Sequence, residues 1–171
     1  MRPLLLVDGY NIIGAWPQAV HEGWSIEEAR ERLQRALEDY PGYADVEVVL
    51  VFDGHLSDRR QRSRDRTGAV TCVFTKRGET ADHYIEAAAA NNPKRRPLQV
   101  ATSDGVEQTV VLGRGAERVS ARELLRELAE VRSRGNRAHA AAPEASKRNP
   151  IEERLPPEQR EKLERMRREK G

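Results

Sequence analysis

The stretch LLLVDGYNIIG, residues 4–14, decides the fold class of this chain. It opens with an apolar run that ends at Asp8, and such a run is typical of a strand buried on both faces. The segment VEVVLVF, residues 46–52, repeats this pattern and ends at Asp53. Apolar strands of this kind predict a mostly parallel sheet, in which the carboxyl ends of the strands share one edge.

Two more apolar runs extend the pattern along the chain. The segment AVTCVF covers residues 69–74, and LQVAT covers residues 98–102 and is followed by Ser103 and Asp104. Residues 118–119 indicate a short additional strand. Because helical patterns lie between these runs, the chain is predicted to consist of βαβ units in an α/β fold.

Helix starts are marked by capping residues. Ser25 with Glu28, and Ser120 with Glu123, form capping boxes, and Thr80 is placed to cap a third helix. A further short helix is expected at about residues 106–112. The first helix is predicted to bury an apolar stripe and to stop at Pro41-Gly42. The stripe comprises Ile26, Ala29, Leu33, Leu37 and Tyr40.

Length and composition indicate one domain with a tail. The chain has 171 residues, of which 37% are hydrophobic and 34% charged. We expect a domain at residues 1–134, followed at 135–171 by a basic linker and tail that contains at most one charged helix. Residues 132–171 hold 12 basic and 7 acidic side chains, and the preceding residues hold 18 and 21. This basic end indicates either a polyanionic partner or a solvated, disordered tail.

The composition and the motifs of the sequence exclude several classes of protein. The single cysteine, Cys72, excludes an internal disulfide framework and a cysteine-rich zinc site. No run of 18 apolar residues occurs, and the first apolar run is too short for a signal peptide. No phosphate-binding loop of the nucleoside triphosphatases is present. We therefore expect a cytoplasmic protein with no membrane partner and no nucleotide cofactor.

The aspartates are the predicted active-site residues. Asp8, Asp53 and Asp104 follow strand-like runs, and Asp82 falls in the first turn of a predicted helix, so these carboxylates are expected at one sheet edge. Carboxylates that approach closely need a cation, and oxygen ligands select Mg2+ or Mn2+. This pattern indicates metal-assisted hydrolysis of a phosphodiester. Each position taken alone is equally explained by a turn or a helix cap.

The segments around these aspartates carry a family resemblance. LLLVDGYNIIGAWP, VVLVFDGH, FTKRGETADHYIE and QVATSDGVEQ follow one another in this order. Over roughly residues 4–131 the chain resembles the NYN domain, a branch of the PIN-like nucleases, and within it the YacP-like ribosome-associated endoribonucleases. The resemblance implies a PIN-like α/β/α sandwich with a mostly parallel central sheet. It also implies cleavage of RNA, in particular mRNA at the ribosome, with a divalent cation.

The resemblance also implies roles for single residues. Asp8 and Asp82 would be catalytic metal ligands. Asp104 would be a third catalytic ligand or would hold a water, and Asp53 would line the metal site or serve as a turn residue. Asn11 would orient Asp8, contact a phosphate or cap the following loop, and Ser103 is a further candidate for substrate binding.

An arginine-rich segment, SDRRQRSRDR at residues 57–66, follows the second strand. It is expected as a loop or short helix near the predicted site, where guanidinium groups suit phosphates. The candidates for substrate binding are Arg59, Arg60, Arg62 and Arg64. The alternative is a solvated charged loop.

The sequence thus predicts a metal-dependent endoribonuclease, and the family resemblance implies that it acts on mRNA in association with the ribosome. One alternative is a catalytically weak or inactive module that binds RNA or the ribosome. Another is a phosphoryl-transfer enzyme for a small molecule, which the arginine-rich segment disfavours because a small substrate needs no extended basic surface.

Overall fold

The computed structural model describes residues 1–54, 60–103 and 115–141. The strands are β1 (Leu4–Asp8), β2 (Glu47–Phe52), β3 (Ser63–Thr67), β4 (Val70–Phe74), β5 (Leu98–Ala101) and β6 (Glu117–Val119). The helices are α1 (Gly9–Gly14), α2 (Pro17–His21), α3 (Ile26–Glu38), α4 (Tyr40–Ala44), α5 (Ala81–Asn91) and α6 (Ala121–Ala141).

The strands form one sheet in the order β3-β4-β2-β1-β5-β6. Every neighbouring pair is parallel except β3 with β4. The apolar strands β1 and β2 are central and buried, as their composition predicts. The carboxyl ends of the parallel strands consequently lie along one edge of the sheet.

Helices cover both faces of the sheet. Leu5 and Val7 of β1 pack with residues of α1, α3 and α6, whereas Leu4 and Leu6 pack with residues of α5. We call these the α3 face and the α5 face. Alternate residues of each strand point to opposite faces, so both faces of β1 are apolar. The predicted α/β/α sandwich with a mostly parallel sheet is confirmed.

The predicted helix caps are present. The Ser25 and Ser120 hydroxyls accept hydrogen bonds from the backbone N–H groups of Glu28 and Glu123, both at 3.1 Å. The Thr80 hydroxyl accepts from the N–H of His83 at 3.2 Å. These bonds satisfy amide groups that have no partner within the first turn of a helix.

The apolar stripe of α3 is shorter than predicted. Ile26, its first residue, is 57% exposed, because the first turn of α3 extends beyond the core. The helix ends at Glu38, and Tyr40 begins the separate helix α4, where proline is tolerated in the first turn. Pro41-Gly42 therefore lies inside a helix and does not end one.

The arginine-rich segment contains a strand, contrary to the predicted loop or short helix. Residues Ser63–Thr67 form β3, which pairs antiparallel with β4 at the edge of the sheet. Its side chains are largely exposed, since an edge strand can be polar on both sides. Charged residues on an edge also oppose the addition of a further strand from another chain. Residues 55–59 lie outside the described residues.

The last helix is longer than predicted. The chain divides into two compact units, Met1–Ser133 and Arg134–Gly171, but α6 continues to Ala141. Residues 135–141 are thus helical, where a linker was predicted. The alanines in this stretch favour a helix and offset the cost of Gly135. The charged helix and tail expected farther on, and the short helix near residues 106–112, lie outside the described residues.

None of the helices in the described ranges combines the length and the apolar character that a membrane span requires.

Candidate active site

Asp8 is fixed at the carboxyl edge by the direct junction of β1 and α1. Its carboxylate accepts a hydrogen bond from the backbone N–H of Asn11 (3.4 Å) and so caps α1, and the residue is only 9% exposed. The helix begins at Gly9 without a loop. A Cβ atom on Gly9 would lie 2.4 Å from the ring of Phe52, which explains the glycine at this position.

Asp53 follows the strand that neighbours β1, and alternation along β2 places it on the same face of the sheet as Asp8. Asp8 pairs with Val51 in the parallel register of β1 and β2, and Asp53 follows Val51 by two positions. The Asp53 carboxylate accepts a hydrogen bond from the N–H of Ala81 at 3.2 Å. Asp53 therefore connects the end of β2 with the first turn of α5, where a carboxylate is favoured by the helix dipole.

Asp82 lies in that same first turn of α5, with an exposed side chain. The loop before the helix is fixed by Thr75, which is fully buried. The Thr75 hydroxyl donates to the carbonyl oxygen of Glu79 (2.8 Å) and accepts from the N–H of Gly54 (2.6 Å). Thr75 thus links the segment after Asp53 to the segment before Asp82. Sequence reasoning missed it, although a threonine directly after an apolar strand is a usable signal.

Asn11 connects the ends of β1 and β5. Its side-chain oxygen accepts a hydrogen bond from the backbone N–H of Ser103 at 2.6 Å, while its own N–H donates to Asp8. The side-chain contact with Ser103 is none of the three roles predicted for Asn11, and those roles stay predictions. Asp104, the next residue, lies outside the described residues.

Carboxylate oxygens are the ligands that Mg2+ and Mn2+ prefer, so the donor chemistry of this edge fits such an ion. In the described residues, no group of three or more histidine, cysteine, aspartate or glutamate side chains is arranged to hold a metal. A site made by two carboxylates with waters and substrate oxygens is common for Mg2+ and requires no such group.

The predicted arginines have different surroundings. Arg62 forms paired hydrogen bonds with the Glu79 carboxylate, with Nε–oxygen distances of 2.7 and 2.9 Å, and its guanidinium lies 5.2 Å from the ring centre of Tyr84. This ion pair lowers the pKa of Glu79 and raises that of Arg62. Arg60 and Arg64 are exposed, and Arg59 lies outside the described residues.

Two tryptophans, one before α2 and one before α3, pack on each other. Trp16 contacts Trp24 edge to face, with ring centres 5.1 Å apart. The Trp24 indole N–H donates to Glu22 at 2.8 Å, and the guanidinium of Arg32 lies 4.3 Å from its ring centre. Trp16 is therefore part of a packed surface cluster.

Asn11→Ala should loosen the segment that precedes Asp104. The substitution removes the acceptor for the Ser103 N–H, and we expect hydrogen exchange of that amide to accelerate about fivefold, because one such bond contributes roughly 1 kcal/mol. Exchange measured by NMR also supplies an internal control, because the Gly54 amide is bonded to Thr75 and should be unaffected. Equal exchange of Ser103 in both proteins would contradict the positioning role of Asn11.

Known proteins resemble this chain in sequence and in fold. The family model for the YacP-like NYN domain matches residues 5–168. The Bacillus subtilis (strain 168) protein called "Uncharacterized protein YacP" is 46% identical over 134 residues, which are 77% of this chain and 78% of that protein.

Two crystal structures of Rae1 (YacP) from Bacillus subtilis share the fold. One matches with a TM-score of 0.71 and 40% identity, covering 96% of this chain and 94% of the other. The second, of a mutant form of that protein, matches with a TM-score of 0.67 and 37% identity, covering 96% and 99%. Since the family model, the sequence identity and the fold all agree, this chain belongs to the YacP-like NYN domain family.

Proposed function

We propose that this protein is a metal-dependent endoribonuclease that cleaves mRNA in association with the ribosome. NYN domains have the PIN-like nuclease fold, and membership of this family indicates a nuclease-type function related to RNA. The observation that carries the proposal is the junction at the carboxyl edge. Asp8 ends β1 and Asp53 directly follows the adjacent β2 on the same face, and Asp53 bonds to the helix turn that bears Asp82.

The reaction assigned to this edge is hydrolysis of a phosphodiester. Asp8, Asp82 and Asp104, with Asp53 beside them, would hold Mg2+ or Mn2+. When bound, such an ion lowers the pKa of a water and offsets negative charge on phosphoryl oxygens. In-line attack of water forms one P–O bond and breaks the bond to the 3′ oxygen, which leaves a 5′-phosphate and a 3′-hydroxyl.

The surroundings of Asp8 suit a preorganised site. Its position at a strand end, and its bond to the first turn of α1, hold the carboxylate at the carboxyl edge before substrate binds. Asn11 fixes the beginning of the segment with Asp104 against α1, and Thr75 fixes the loop before α5. Hydrogen bonds between side chains and backbone groups thereby link the end of β1 to the end of β5, and the end of β2 to the start of α5.

This reaction does not use the 2′-hydroxyl of RNA, so selection of RNA has to come from binding. Single-stranded segments are the usual targets of proteins that read RNA. The exposed Arg60 and Arg64 are available to phosphates, whereas Arg62 would have to share its guanidinium with Glu79. The basic C-terminal residues suit a ribosomal RNA surface in the cytoplasm, where mRNA is translated.

The alternative is a protein that binds RNA or the ribosome without useful cleavage. It is favoured by one observation: in the part of the chain that the structure describes, no three acidic or other ligating side chains form a metal-binding group.

Incubation with total cellular RNA, with and without ribosomes, separates the two functions. We expect cuts in Mg2+ or Mn2+ that disappear in EDTA and in Asp82→Asn, because that variant loses a charged metal ligand. Asp39→Asn is the matched control. This exposed aspartate lies at the C-terminal end of α3, and its side chain makes no capping hydrogen bond. If the protein binds ribosomes but cleaves RNA with neither metal, the nuclease proposal is wrong and the protein is a binding module.

A further inference from the structure

Arg30 of α3 lies near the candidate site, although no motif in the sequence predicted a role for it. Its Nη1 donates a hydrogen bond to the hydroxyl of Tyr10 at 2.9 Å, and its guanidinium lies 5.7 Å from the ring centre of Phe74. Tyr10 follows Asp8 by two positions, and Phe74 is the last residue of β4. The guanidinium is therefore located at the carboxyl edge of the sheet, on its α3 face.

The support under this arginine is a row of packed aromatic rings. The rings of Tyr10, Phe52 and Phe74 form an aromatic row across the ends of β1, β2 and β4, with 5.2 Å between successive ring centres. Phe52, in the middle, is fully buried. The row supplies both the hydroxyl and the ring face that the Arg30 guanidinium contacts.

Unlike the neighbouring arginines of α3, Arg30 has no carboxylate partner among the described residues. On the same helix, Arg32 forms an ion pair with Glu28 at 3.0 Å, and Arg35 lies 3.9 Å from Glu31. Within residues 1–54, 60–103 and 115–137, Arg30 forms no ion pair with a carboxylate, and its side chain is half-buried. A guanidinium has five N–H groups, and the Tyr10 hydroxyl uses one of them.

We propose that Arg30 binds a phosphate of the RNA strand, next to the phosphate that is cleaved; the inference rests on the nuclease function proposed above. The planar guanidinium matches phosphate oxygens in paired hydrogen bonds, and partial burial strengthens such contacts. Asp8 lies at the same edge, and alternation along β1 places its side chain on the α5 face. An RNA strand that crosses the edge from one face to the other would contact both residues.

The test measures binding of a fluorescent single-stranded RNA to the full-length protein. The protein carries Asp8→Asn so that the RNA is not cleaved, and fluorescence anisotropy reports binding at salt concentrations from about 50 to 200 mM. Adding Arg30→Gln should weaken binding roughly tenfold and reduce the salt slope by about 0.7, the value for one lost phosphate contact with a single strand. Arg30→Lys keeps the charge and should retain most of the slope. Arg35→Gln is the control, since Arg35 is an exposed arginine of the same helix.

Cleavage by proteins with an intact Asp8 gives a second readout. We expect Arg30→Gln to raise KM more than it lowers kcat, because a neighbouring phosphate contact acts on ground state and transition state alike. Tyr10→Phe keeps the aromatic row and removes only the hydroxyl that orients Arg30, so a smaller increase in KM is expected. Melting temperatures of all variants show whether a change arises from unfolding.

The outcomes are distinguishable. A reduced salt slope in Arg30→Gln, but not in Arg35→Gln, supports the phosphate contact. Equal slopes and equal KM values, in proteins that bind and cleave RNA, overturn the role of Arg30 and leave the nuclease standing. Absence of both RNA binding and cleavage in every protein, including the wild type, overturns the nuclease and this inference with it.

Discussion

Asp8→Asn is expected to reduce RNA cleavage by at least about 100-fold, since residues that merely support a metal ligand already contribute roughly 10–100-fold. The substitution removes the negative charge from the most buried of the described candidate ligands and leaves the shape of the side chain unchanged. An asparagine oxygen can still accept the hydrogen bond from the Asn11 N–H, so the cap of α1 persists. Initial rates of cleavage of a labelled RNA in Mg2+ measure the effect.

The same variant should fold normally and still bind RNA. We expect its melting temperature to stay close to that of the wild type, because the bond to Asn11 is retained. Asp39→Asn again serves as the control for an aspartate far from the carboxyl edge. Cleavage by Asp8→Asn at the wild-type rate would remove Asp8 from the catalytic residues and move the active site elsewhere.

Gly9→Ala is expected to lower the free energy of unfolding by about 1–3 kcal/mol, the usual effect of inserting a methyl group into a packed core. The new Cβ would lie 2.4 Å from Phe52, which is fully buried between Tyr10 and Phe74 and cannot turn away without disturbing the aromatic row. For a chain of this size the melting temperature should fall by roughly 2–4 °C per kcal/mol. Thermal unfolding followed by circular dichroism measures it.

Gly14→Ala is the matched control for this experiment. Gly14 ends the same helix, and a Cβ atom there meets nothing within 4 Å. Alanine should be neutral or stabilise the protein by about 0.4–1 kcal/mol, because it restricts the unfolded chain. If both variants had the same stability, the close approach of Gly9 to Phe52 would not be what excludes other residues from position 9.

The sequence predicted the elements whose signals are local. Strands β1 and β2 were recognisable because strands buried on both faces are continuously apolar, and the caps at Ser25, Thr80 and Ser120 because capping depends on residues a few positions apart. Asp8 and Asp53 could be placed at one edge for a general reason, namely that parallel strands end together. The family resemblance followed from the same segments.

Other features depend on contacts between distant residues. The polar segment Ser63–Thr67 has no strand pattern of its own, and it is a strand because β4 presents unpaired backbone groups beside it. Arg62 meets Glu79 through the packing of β3 near α5, which no local signal reports. Gly135 suggested a linker, yet the helix continues past it to Ala141.

By itself, therefore, the sequence determined the fold class, the family and the strand-end aspartates, because hydrophobic periodicity and capping act over a few neighbouring residues. Only the tertiary structure decided which of these groups meet: Asn11 with Ser103, Asp53 with Ala81, and Arg30 with Tyr10 and Phe74. Such contacts arise when the packed sheet brings the ends of separate strands to one edge. Their energies depend on distance in space, which spacing along the chain does not encode.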